Sequence, residues 1–240
     1  MPSRLDIPAA VAFAIALSVA LSSQPAVAAS ADTLSRDVVL QAEAGSAPDQ
    51  DAHADIPEDA GRFLEALGQR AVAELTDGTV DEAERERRFR AMFRESFDLG
   101  AISRFVLGKY WRRASQKQQD AFLDIFEDAV VQRFLPLFKD YSGESFTVGR
   151  LRRDENNPSH VFVTTTITQA NGEPVTVEWR LKEKVATRTY RILDVHAEGV
   201  SMAITLRQEY ASVVRQSGLD HLLDQLRKKI QAGDFAPPAE

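Results

Sequence analysis

The chain has 240 residues, no cysteine and a formal net charge of −7, so disulfides, thiolate metal sites and cysteine nucleophiles are excluded and packing alone must hold it together. The charge is uneven: eight acids and one base fall between Asp32 and Asp59, a stretch that carries −7 by itself, while the sequence from Ala60 onward balances 27 acids against 27 bases. A balanced folded part is not the net basic domain that nucleic-acid binding calls for.

At the N-terminus Arg4 precedes a mostly apolar run from Ile7 to Leu21, and polar Ser22, Ser23 and Gln24 lead into the small residues Ala26, Val27, Ala28 and Ala29. This is the order of a signal peptide over 1–28, cut after Ala28 or Ala29, because the run is shorter than the roughly 20 residues a bilayer span needs. A retained single-helix anchor is the competing reading, with which Arg4 and Pro8 are equally compatible. Export by such a signal places the protein in the periplasm. From 29 to 57 the alanine, aspartate, glycine and proline content offers too little apolar surface to offset ordering entropy, and the stretch reads as a disordered acidic linker. One folded domain is expected over 58–232, with a disordered tail at 233–240.

Pro57 followed by Glu58 and Asp59 reads as a helix start. Phe63, Leu64, Leu67, Ala71 and Leu75 then recur at helical spacing until Thr76, Asp77 and Gly78 end the segment. A second helix is expected from Asp81 to Ser96, burying Phe89, Met92 and Phe93, and a short third one from Leu99 to Leu107. Ser115 with Gln118 three residues on is a capping-box pattern that introduces the strongest helix. Its stripe runs through Phe122, Ile125, Phe126, Ala129, Val130, Phe134, Leu137 and Phe138. These rings either pack on a sheet or, in part, line a cavity.

From Ser145 the period changes from helical to alternating. Arg150 to Pro158 reads as a polar loop; Val161 to Gln169 and Val175 to Lys182 read as two strands joined at Asn171-Gly172, and Thr189 to Val195 as another. Helical spacing returns from Met202 to Arg215 and, after Gly218, from Leu219 to Ile230. Helices, then strands, then helices predict an α+β fold, with a twisted antiparallel sheet of about four strands wrapped by N-terminal and C-terminal helices.

No phosphate loop, dinucleotide fingerprint, zinc-protease helix or nucleophile elbow occurs, so no catalytic residue, metal ligand or cofactor is assigned. Asp194, His196 and Glu198 alternate and would share a strand face, which suits either a polar strand end or an acid–base or metal group. Arg104, Lys109, Arg112, Arg113 and Lys117 come with no acid between Asp98 and Asp120, and Tyr110 and Trp111 interrupt them. Cations interleaved with aromatics suit a phosphate-bearing amphipathic ligand or a membrane-surface partner, or else form a solvated loop.

The run Leu107-Gly108-Lys109-Tyr110-Trp111-Arg112-Arg113-Ala114-Ser115, with Gln118, Gln119 and Phe122, resembles the central signature of the MlaC family of periplasmic phospholipid-binding proteins, also called the toluene-tolerance family. The run from Tyr190 to Val195, then Glu198-Gly199-Val200-Ser201, Arg207, Glu209 and Gly218-Leu219-Asp220, is similar to the same family's second signature. The likeness extends from Phe63 to Ile230, and its specificity lies in order and spacing, since neither motif is catalytic. It implies an NTF2-like, MlaC-like fold with an apolar cavity, and a monomeric carrier that takes phospholipid as cargo. The partners it implies are an inner-membrane Mla-type ABC complex and an outer-membrane lipoprotein–porin complex. A related branch associated with hopanoids implies a polycyclic lipid as the alternative cargo. On this reading Phe105, Tyr110, Phe122, Phe126, Val130, Trp179 and Ile192 are the expected pocket lining, and Lys109, Arg112 and Arg113 form a head-group or partner rim. A protein-interaction module with a closed core is the second function class, and an enzyme built on Asp194, His196 and Glu198 the third. The acidic linker is no part of the family pattern.

Overall fold

The computed structural model describes residues 58–139, 141, 143–168, 174–184 and 186–235. The expectations for the signal peptide, the acidic linker, the Asn171-Gly172 turn and the tail beyond 235 fall outside them.

Helix α1 (Glu58–Leu75) opens on two acids, which the partial positive charge of a helix start favours. Helix α2 (Glu82–Ser96) is capped by Asp81, whose carboxylate accepts from the Glu84 N–H at 2.8 Å. Asp98 does the same for α3 (Leu99–Leu107), accepting from Ala101 at 2.9 Å. Gly108, at φ +54, ends α3; only a residue without a Cβ takes that conformation freely, and a Cβ there would stand 3.4 Å from the Arg207 guanidinium. A 3-10 turn over Gly108–Arg113 then leads to α4 (Gln116–Phe134), which begins with the Ser115–Gln118 capping box. A second 3-10 turn, Leu135–Phe138, carries Pro136 in its first turn and closes this helical half.

The strands β1 (Ser145–Asp154), β2 (Asn157–Thr168), β3 (Val175–Lys184), β4 (Thr189–Ala197) and β5 (Val200–Ser201) form one antiparallel sheet in sequence order. Helices α5 (Met202–Ser217) and α6 (Leu219–Ala232) follow, separated at Gly218. On the inner face Val161, Val163, Val177, Leu181 and Ile192 are fully buried under Ala60 and Leu64 of α1. A second core joins α2 to α6, with Phe122 of α4 at its centre. Burying a side chain of that size contributes about 3 kcal/mol. The fold is the expected α+β one, with five strands.

Three local differences have physical causes. The expected loop at Arg150–Pro158 is instead the end of β1, a turn and the start of β2. Asn156 donates its N–H to Asp154 at 3.0 Å in that turn. Backbone pairing to β2 makes this edge strand whatever its side chains, and Arg152 and Arg153 are neutralised by Glu178 and Glu183 at 3.0 Å each. β5 is two residues long, too short to show a period. At the C-terminus Phe235 is buried rather than part of a free tail, its N–H donating to Gln132 at 3.2 Å. Among the described residues no helix is long and apolar enough to cross a membrane.

Candidate functional site

The two hydrophobic cores meet through Leu67 and Phe97, which pack against both, but they leave a gap beside that contact. Between them lies a cleft of about 290 Å3, bounded by α1, α2, the end of α4, the sheet and the start of α5. Leu64, Leu67 and Leu75 of α1, Phe89, Met92 and Phe93 of α2, and Phe126, Val130 and Phe134 of α4 supply most of its wall. Trp179 and Val195 come from the sheet, and Met202 and Leu206 from α5. The deep end is buried, whereas Ala71, Val72, Leu137, Phe138 and Phe146 are half-buried, which makes that end the mouth. Such a wall can shelter hydrocarbon and offers little to a polar ligand.

Of the residues expected to line a pocket, Phe126, Val130 and Trp179 border this cleft. Trp179 is fixed there by its indole N–H, which donates to Thr165 Oγ1 at 2.8 Å in the buried sheet face. Phe122 lies one turn earlier on α4 and packs edge-on to Tyr210 at 6.0 Å. Ile192 is buried in the sheet core, Tyr110 packs against the helical core, and Phe105 is 38% exposed on the outside of α3. None of these four borders the cleft, because each points from its element toward a different neighbour. The α1 and α2 walls were legible as buried stripes, but a stripe does not reveal whether it faces side chains or space.

Lys109, Arg112 and Arg113 sit before the N-terminus of α4, and the mouth lies beyond its C-terminus. Nineteen residues of helix separate them by about 28 Å, so this basic group does not rim the mouth.

Ser96, Tyr141, Glu144 and Ser145 also border the cleft, but the buried charged group in its wall is Asp194. Its carboxylate accepts from Ser201 Oγ at 2.5 Å, the Ala203 N–H at 2.9 Å, the Val195 N–H at 2.8 Å and His196 Nε2 at 3.1 Å. Burial alone would push its pKa up, but the hydrogen bonds from His196, Ser201 and Ala203 outweigh it and hold the group below the usual carboxylate range. Since Ser201 also accepts from the Ile204 N–H at 3.0 Å, the pair caps α5 and ties it to β4. Asp194 and His196 thus meet, while Glu198 lies in the following turn at φ +49. Asp194 is occupied as a cap. Among the described residues no group of three or more metal-ligating side chains is gathered.

Residues 65–228 match the family model described as MlaC protein. The chain is 20% identical over 124 residues to the intermembrane phospholipid transport system binding protein MlaC of Haemophilus influenzae, a match taking in 51% of this chain and 58% of that protein. It is 24% identical over 147 residues to the toluene tolerance protein ttg2D of Pseudomonas putida, taking in 58% of this chain and 66% of the relative. Both matches therefore span less than two thirds of the relatives. The structure of a phospholipid-binding protein from Ralstonia solanacearum in complex with a phospholipid aligns with a TM-score of 0.64 at 17% identity, covering 73% of this chain and 99% of that one. At that identity the likeness is one of fold.

Proposed function

The chain belongs to the MlaC family, and from that membership we propose that it is a periplasmic carrier holding the acyl part of a phospholipid in the cleft between its two cores. The observation that carries this reading is the wall itself: about 290 Å3 lined mostly by aliphatic and aromatic side chains, just below the size of typical small-molecule sites. Each methylene moved from water into such a wall contributes about 0.8 kcal/mol, so hydrocarbon alone supplies affinity and no reactive group is needed. The names of the relatives support phospholipid as the cargo. Phe126, Val130 and Trp179 are the contact residues on this reading, and the head group stays at the mouth near Phe138 and Phe146. The carrier then exchanges lipid between an inner-membrane Mla-type ABC complex and an outer-membrane lipoprotein–porin complex.

Native mass spectrometry of the protein taken from its own periplasm without detergent, followed by lipid identification, tests this. A phospholipid adduct is expected, and Ala71→Phe, which puts a ring into the mouth, is expected to lose most of it. A protein that is bare and stays bare after incubation with liposomes overturns the carrier reading in favour of a protein-interaction module.

A further inference from the structure

The large apolar side chains exposed among the described residues are Phe105, Val200 and Ile204, none of which lines the cleft, and Phe105 and Ile204 lie on the two helices α3 and α5 that pack together. The Arg207 guanidinium lies over the Phe105 ring at 4.9 Å, with Ile204 one helical turn before it. Arg104 adjoins Phe105, and Lys109 follows on the 3-10 turn, its ammonium over Tyr110 at 5.1 Å. Elsewhere arginines are paired: Arg90 and Arg94 with Glu127, Arg152 with Glu178, Arg180 with Asp154. Arg104, Lys109, Arg112, Arg113, Lys117 and Arg207 form no ion pair with any described residue. The surface thus sets Phe105 and Ile204 beside the guanidinium groups of Arg104 and Arg207, neither of which pairs with a described acid.

We propose that this surface is the docking site for the chain's own acidic segment between Asp32 and Pro57. That segment carries six acids against Arg36 alone, and its one apolar cluster, Val38-Val39-Leu40, is flanked by Asp37 and Glu43. The order of charge and hydrocarbon complements Arg104, Phe105, Ile204 and Arg207. The reach also fits. Asp59 pairs with Arg188 just before β4, and Val200 lies just past its far end, so nine residues of strand set a span of about 30 Å. The nineteen residue steps from Val39 to Glu58 can extend to at most about 65 Å, so the chain is long enough to bridge that span, and docking within one chain raises the effective concentration so that weak contacts suffice.

Because the chain has no cysteine, Ala44→Cys gives a unique site for a nitroxide in the chain as its own cells process it. At low salt, amide signals of Phe105 and Arg207 are expected to lose more than half their intensity and those of β1 to keep theirs. The loss should vanish in R104E/R207E and at about 1 M salt, where the Debye length falls to about 3 Å, and should persist in R104K/R207K. Unchanged Phe105 and Arg207 signals at low salt overturn the proposal. Broadening of unlabelled chains mixed with labelled ones assigns the patch to a second copy and overturns it as well. Charge-dependent binding to phosphatidylglycerol vesicles, with no broadening in their absence, assigns the patch to a lipid surface instead.

Discussion

At Asp194 a buried carboxylate receives four donors: the Ala203 N–H in the first turn of α5, the Ser201 hydroxyl, the Val195 N–H and His196. Removing it leaves those donors without their charged partner, and hydrogen bonds to a charged group contribute about 1.5–3 kcal/mol each way. Asp194→Ala is therefore expected to lower stability by about 3 kcal/mol, read as a fall in the urea midpoint, with Asp194→Asn losing less. The pH dependence follows from the direction of its shift. The folded-state pKa is held below the unfolded value of about 3.9, so its contribution is fully present above that value and is lost as pH falls through the depressed folded pKa. Between pH 5 and 3 the wild-type midpoint should drop more steeply than that of Asp194→Asn. Alternation in the sequence placed Asp194 beside His196. It could not show that the chain turns back at Gly199 to bring Ser201 and Ala203 onto the same carboxylate, since that contact depends on a tight turn rather than on spacing.

Helix α4 shows which elements a sequence exposes. Its start is written in Ser115 and Gln118, whose side chains and N–H groups satisfy each other at 3.3 and 2.9 Å. Ser115→Ala is expected to cost about 1 kcal/mol, a loss that thermal unfolding followed by circular dichroism would register; an unchanged midpoint would mean that tertiary contacts alone hold the helix start. The same legibility applies to α2 and α3, where Asp81 and Asp98 cap. It fails at β1. Gly149 and Arg150 fall where the pairing with β2 slips between Val148 and Leu151, so the alternation that marks a strand is broken in its middle. The polar residues that follow are stabilised by partners across the sheet, which no local window contains.

For the molecule as a whole, the order of helices and strands made the α+β class readable, and two of the cleft walls, α1 and α2, were readable as apolar stripes. What no period records is that the helical core and the sheet core, joined through Leu67 and Phe97, leave an open cleft beside that junction. Protein interiors pack as densely as organic crystals, and the roughly 290 Å3 that the side chains leave open in the cleft forgoes part of that packing. On the carrier reading, hydrocarbon taken into the cleft supplies the packing that the side chains leave out. Cargo should therefore be a structural component of the fold: with lipid at a hundred times its dissociation constant, stabilisation is about 2.7 kcal/mol, or about 5–10 °C in a domain of this size. Scanning calorimetry of lipid-loaded and lipid-stripped protein should show that difference, and it should shrink in Ala71→Phe, whose ring occupies part of the space. Equal unfolding temperatures for loaded and stripped wild-type protein would mean that the cleft is closed by the protein's own rearrangement, and the cargo reading would lose its energetic basis.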